Sequence, residues 1–177
     1  MNLPNLLTLT RVLLIPLFVI LIINKYFEWA LLTFAVAGIT DGLDGLIARL
    51  THQRTELGAY LDPIADKLLL SAAFISLAII EMIPSWIVVI VITRDVIILV
   101  GLLVMILTSY HPEIKPSFLS KTTTTFQIVT ILFALLARDL PTFKQLSTIA
   151  VYGTAIITVL SGFQYIYIGA RILNGKE

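Results

Sequence analysis

The chain contains no cysteine, so it carries no disulfide, no thiolate nucleophile and no cysteine-ligated metal. It has 2 histidines. His52 and His111 both fall in loop-like sequence, which argues against a histidine-rich zinc site. Charge is scarce as well: 13% of the 177 residues are Asp, Glu, Lys or Arg, against about 25% in a soluble domain. The net charge is +1 and there is no basic tail or patch, so nothing marks a nucleic-acid partner. No Lys or Arg precedes the first apolar run and no clear small-x-small cleavage site is present, so a cleaved signal peptide is not expected. The N-terminus has no transit-peptide character either, which favours a bacterial over an organellar membrane.

What the chain has in excess is hydrocarbon. Apolar residues make up 58% and the mean hydropathy is +0.99, which predicts an all-α integral membrane protein of one domain, residues 1–177. About 20 apolar residues cross a bilayer as a helix. By that measure six spans are predicted: Asn5–Ile23, Glu28–Leu50, Gly58–Ile80, Ser85–Leu107, Phe118–Ala137 and Phe143–Leu173. The breaks coincide with Asn24-Lys25, Pro84, His111-Pro112 with Pro116, and Pro141. The runs are continuously apolar and lack the alternation of a β-barrel. With both termini on one side, that side gathers Arg11, Arg49, Arg54, Lys67, Lys115, Lys121, Arg171 and Lys176, against Lys25, Arg138 and Lys144 on the other. The excess of basic residues predicts cytoplasmic termini. Thr122–Thr125 is a run of four threonines, read as small polar residues packing one helix on another.

The ionisable residues are not scattered. Asp41, Asp44, Asp62 and Asp66 fall within 26 positions, together with Arg49, Arg54, Gly42, Gly45 and Gly58. Ionisable groups at membrane depth are costly and mark function. Asp41 and Asp44 are spaced i,i+3, and Asp62 and Asp66 i,i+4, so each pair shares one face of a helix. Two such helices offer an oxygen-rich setting for hard divalent cations. Arg49, one turn beyond Gly45, suits bidentate binding of a phosphate; on its own it would be a snorkelling anchor. The glycines leave backbone open to a bulky ligand, and Gly38-x-x-x-Gly42 also suits close helix packing. Cations beside an arginine suggest phosphoryl chemistry, with Asp66 as the candidate general base.

Other readings account for less. A purely structural ion network is an expensive way to pack helices, because buried ion pairs are marginal for stability. A cation- or proton-coupled transporter would carry its carboxylates near the midplane and show matching interruptions in two halves. Here no such halves appear. A non-catalytic scaffold leaves the four acids unexplained.

The pattern Asp41-x-x-Asp44-Gly45-x-x-Ala48-Arg49, eight residues, then Gly58-x-x-x-Asp62-x-x-x-Asp66 resembles the signature of the CDP-alcohol phosphatidyltransferases at every defined position. The resemblance implies that family's fold of six membrane helices and a homodimer. It implies transfer of a phosphatidyl group from CDP-diacylglycerol to an alcohol, with release of CMP and dependence on Mg2+ or Mn2+, as two ions. Carried over by position, Asp41, Asp44 and Asp62 would ligate metal. Asp66 would deprotonate the acceptor and also touch a metal. Gly45, Arg49 and Gly58, with Asp44, would bind the cytidine diphosphate. Pro4-Asn5-x-x-Thr8-x-x-Arg11 resembles the family's usual start of the first span. Ile92-Thr93-Arg94-Asp95 and Lys115-Pro-Ser-Phe-Leu-Ser120-Lys121-Thr resemble cardiolipin synthases of the mitochondrial type. That likeness makes phosphatidylglycerol the expected acceptor and glycerol 3-phosphate the alternative. Arg94 and Lys121 then become candidates for the acceptor's phosphate, Arg94 being otherwise a partner for one of the aspartates. The expected setting is a bacterial inner membrane with the site on the cytoplasmic side.

Overall fold

In a computed structural model of the chain, the backbone is described for residues 3–51, 56–107, 118–138 and 140–173, and side chains for residues 9–40, 64–101, 118–138 and 140–171. Among the described residues there are six helices: α1 Leu3–Ile23, α2 Phe27–Thr51, α3 Glu56–Ile79, α4 Ser85–Leu107, α5 Phe118–Leu136 and α6 Thr142–Leu173. Each predicted span corresponds to one helix, within two residues at either end. Pro16 lies inside α1 and does not break it. Two helices, Phe118–Leu136 and Thr142–Arg171, are long and apolar enough over their described residues to cross a membrane.

The helices stop for local reasons. After α1, the N–H of Lys25 donates to the Ile22 carbonyl at 3.0 Å and that of Tyr26 to the Leu21 carbonyl at 2.8 Å. This is the paired bonding of a Schellman cap, and Lys25 occupies its left-handed position with φ 62°. After α3 the same cap recurs: Glu81 bonds Ala78 at 3.0 Å, Met82 bonds Leu77 at 2.9 Å, and Glu81 has φ 61°. Neither cap uses the glycine that this conformation favours. Pro84 and Pro141 immediately precede α4 and α6, where proline's missing N–H takes no helical bond away.

The chain divides into two compact units, Met1–Met82 and Ile83–Glu177. In the first, α1 packs against both α2 and α3. Phe18 and Ile22 of α1, Ala30, Phe34 and Ala37 of α2, and Ala73, Phe74 and Leu77 of α3 are buried. The Phe18 and Phe34 rings lie 5.8 Å apart at 49°, a favourable tilted pair. In the second unit, α6 packs against both α4 and α5. Gly153 of α6 sits where a Cβ would come within 3.2 Å of the Phe126 ring, so the two helices approach closely. Beside it, the Thr130 and Thr154 hydroxyls share a 2.7 Å hydrogen bond, and Thr154 Oγ1 lies 3.0 Å from the Phe126 carbonyl as donor.

Large apolar side chains also point outward. Leu13 and Ile23 on α1, Trp29 and Ile39 on α2, and Ile149 and Ile156 on α6 are exposed. Arg11, Arg94, Asp95, Gln127 and several threonines are buried instead.

Candidate active site

The motif residues lie on two consecutive helices. Asp41, Asp44, Gly45 and Arg49 belong to the C-terminal half of α2, and Gly58, Asp62 and Asp66 to the N-terminal half of α3. The helical expectation behind both spacings therefore holds. The side chains of Asp41, Asp44, Arg49 and Asp62, and the surroundings of Gly45 and Gly58, lie outside the described residues, as do His52 and His111. Among the described residues no three of His, Asp or Glu cluster as a metal site, and of the four motif aspartates only Asp66 falls within that set.

Asp66 is held from α1. Arg11 Nη1 donates to Asp66 Oδ1 at 2.7 Å. The Arg11 side chain is wholly buried, whereas the Asp66 side chain is 36% exposed. A buried guanidinium thus anchors one carboxylate oxygen while the carboxylate keeps an accessible surface. That arrangement suits a group that must meet a reactant in a fixed orientation. The sequence marked Arg11 only as part of the first span's usual start. Its signal was a lone arginine in a hydrocarbon run, and its partner, 55 positions away, could not be read from spacing.

In the second unit Arg94 is buried and fully engaged on one side. Its Nη1 donates to Asp95 Oδ1 at 2.7 Å, its Nη2 to Ser120 Oγ at 2.7 Å, and Nε and Nη2 approach Ser161 Oγ at 3.3 and 3.2 Å. The guanidinium also lies 5.7 Å from the Tyr165 ring centre, within cation–π range. The carboxylate beside it is thus its neighbour Asp95. Lys121 is exposed and follows Ser120 on α5. The four threonines behave more locally than expected. The hydroxyls of Thr122, Thr123, Thr124 and Thr125 donate to carbonyls one turn back in α5 itself, and Thr123 alone of them is fully buried.

An all-helical protein in which Arg11, Arg94 and Asp95 are buried, large apolar side chains face outward and a carboxylate series lies on consecutive helices is the class defined here. Residues 1–160 match the family described as CDP-alcohol phosphatidyltransferase, and the chain belongs to that family. The chain is 34% identical over 193 residues to human cardiolipin synthase (CMP-forming), covering 98% of this chain and 63% of the relative. It therefore spans a little under two thirds of that protein's length. It is also similar to CDP-diacylglycerol–glycerol-3-phosphate 3-phosphatidyltransferases: 35% identical to that of Bacillus subtilis and 38% to that of Pectobacterium atrosepticum, with 93% of both chains covered in each case.

Proposed function

We propose that this chain transfers the phosphatidyl group of CDP-diacylglycerol to the hydroxyl of phosphatidylglycerol, giving cardiolipin and CMP. The reading is carried by the eight-residue motif inside the family match, together with a motif carboxylate, Asp66, that a buried arginine anchors. Asp66 takes the proton of the acceptor hydroxyl. The freed oxygen attacks the phosphorus bearing the diacylglycerol, the bond to the bridging oxygen breaks, and that oxygen leaves with CMP. Arg11 keeps the accepting carboxylate oriented. Gly45, Arg49 and Gly58, with Asp44, hold the cytidine diphosphate, and Arg94 and Lys121 serve the acceptor's phosphate.

Asp41, Asp44, Asp62 and Asp66 would hold two Mg2+ or Mn2+ ions. The donor set fits, since it consists of carboxylates alone, the oxygen ligands that hard cations prefer. Bound there, such cations offset the charge of the diphosphate and of the departing CMP.

We place both units in one catalytic domain of six membrane-spanning helices, in a bacterial inner membrane with the termini and site cytoplasmic, working as a homodimer. The outward hydrocarbon and inward polar groups support the membrane reading. Glycerol 3-phosphate is the second acceptor to weigh, because the Bacillus and Pectobacterium relatives bear its name.

The test uses purified protein in detergent with Mn2+ or Mg2+ and CDP-diacylglycerol, offering phosphatidylglycerol or glycerol 3-phosphate in parallel. CMP release and cardiolipin formation with phosphatidylglycerol are expected. Product with glycerol 3-phosphate alone moves the acceptor and keeps the chemistry. Asp66→Asn is expected to lower CMP release by at least about a hundredfold while the protein stays folded; near-normal turnover would remove Asp66 from its role.

A further inference from the structure

Arg94 lies near the middle of α4, and its side chain is 5% exposed. A guanidinium has five N–H groups. Here Nη1 donates to Asp95, Nη2 to Ser120 and Ser161, and Nε to Ser161, which engages four of them. A phosphate recognised by an arginine takes two N–H groups in parallel. At most one remains on Arg94, too few for that fork.

What the guanidinium does instead is join three helices. Asp95 is on α4, Ser120 on α5 and Ser161 on α6. Helix α6 packs against both α4 and α5, and the Arg94–Ser120 bond runs from α4 to α5 directly, at 2.7 Å. Ser120 is the third residue of α5, in the turn whose N–H groups lack partners within the helix. The hydroxyls that follow it serve α5 itself: Thr122 and Thr123 donate to the carbonyls of Phe118 and Leu119. Ser120 ties that first turn to a cation set in another helix. A positive charge beside a helix N-terminus is unfavourable, and the Asp95 carboxylate, 2.7 Å from Arg94 Nη1, offsets it.

The next residue is Lys121, whose side chain is exposed. An ammonium on a flexible four-carbon stem supplies charge without direction, so its reach is set by where its helix turn is held. We propose that Arg94 is a positioning residue for Lys121: through Ser120 it fixes the first turn of α5, and so holds the Lys121 ammonium where the acceptor's phosphate binds. The inference rests on the reading of Lys121 as a ligand of that phosphate. It gives Arg94 its service to the phosphate at one remove.

The test is protection of Lys121 from acetylation by a water-soluble N-hydroxysuccinimide ester, read by peptide mass spectrometry on the full chain in phosphatidylcholine nanodiscs. The probes are phosphatidylglycerol, as a graded fraction of the nanodisc lipid, and glycerol 3-phosphate in solution. Lys144, exposed at the start of α6, is the internal reference. One of the probes is expected to protect Lys121 and leave Lys144 unchanged. Ser120→Ala is expected to raise the half-protecting amount about fivefold, the worth of one hydrogen bond. Ser120→Thr, which keeps a hydroxyl, is expected to match wild type. Ser161→Ala, which frees the guanidinium from α6 but not from α5, is expected to lower the unfolding midpoint and leave protection unchanged. Protection unaltered by Ser120→Ala would overturn the proposal and keep Lys121 as a ligand. An equal loss in Ser161→Ala would overturn it too, since any loosening of the cluster would then suffice. Lys121 protected by neither probe, or Lys144 protected equally, would strike the reading of Lys121 and the proposal with it. The assay needs no turnover: a wild type that releases no CMP would strike the activity proposed above, and protection would still decide the role of Arg94.

Discussion

Among the described residues, Arg11 and Asp66 form an ion pair whose geometry bears directly on the motif. Breaking a fully buried pair costs about 3–5 kcal/mol, but Asp66 is 36% exposed and water screens it. Arg11→Met is therefore expected to destabilise by only about 1–3 kcal/mol. Arg11→Lys keeps the charge but replaces a planar fork by a single mobile ammonium. It should retain most of the stability and lose about tenfold in CMP release. Thermal unfolding in detergent and CMP release, measured on both variants, separate the two effects. Equal turnover in Arg11→Lys and wild type would show that charge suffices and orientation does not matter. At this scale the sequence was legible where spacing carries geometry: Asp41 with Asp44, and Asp62 with Asp66, could be assigned to helix faces. Arg11 with Asp66, or Arg94 with Ser161, could not, because no local rule links side chains that far apart.

Helix ends were legible from proline and from the lengths of the apolar runs; the manner of stopping was not. Lys25 and Glu81 adopt φ near +60° although nothing in their chemistry prefers it, so the caps exist because the helices around them are fixed. The left-handed conformation costs a non-glycine residue about 1–2 kcal/mol. Lys25→Gly and Glu81→Gly are each expected to stabilise by about 1 kcal/mol, less a few tenths for glycine's greater freedom in the unfolded chain. A lowered unfolding midpoint in either variant would contradict the cap assignment. The α5–α6 contact offers the opposite test. Thr154→Val strips the shared hydroxyl from Thr130 and the donor from the Phe126 carbonyl, at an expected cost of about 0.5–1.5 kcal/mol. No change in unfolding would mean that these hydroxyls find other partners.

On the scale of the whole molecule, the order of helices was readable and their packing was not. Apolar residues surround most of these helices, so no stripe announces which face meets a neighbour. The pairing of α1 with α2 and α3, and of α6 with α4 and α5, emerges only from shape and from a few polar groups. The absence of cysteine makes the proposed topology directly measurable. In right-side-out and inverted vesicles, single cysteines at Lys176 and Lys144 should react with a membrane-impermeant maleimide from opposite sides, Lys176 from the cytoplasm. Labelling of both from one side would mean that α6 does not cross the membrane.

Arg94 also has a history within each round of synthesis. Its carboxylate Asp95 arrives beside it, but Ser120 and Ser161 follow 26 and 67 residues later. At about 5–20 residues per second, roughly 3–13 s pass before Ser161 exists. On the proposed six-span topology, α4 during that interval carries a guanidinium that has Asp95 but not yet Ser161, and releasing it sideways into lipid would be costly. On that topology the helix is best kept beside the insertion machinery until α6 emerges: ribosomes stalled after α5 should leave α4 crosslinked to the insertion channel.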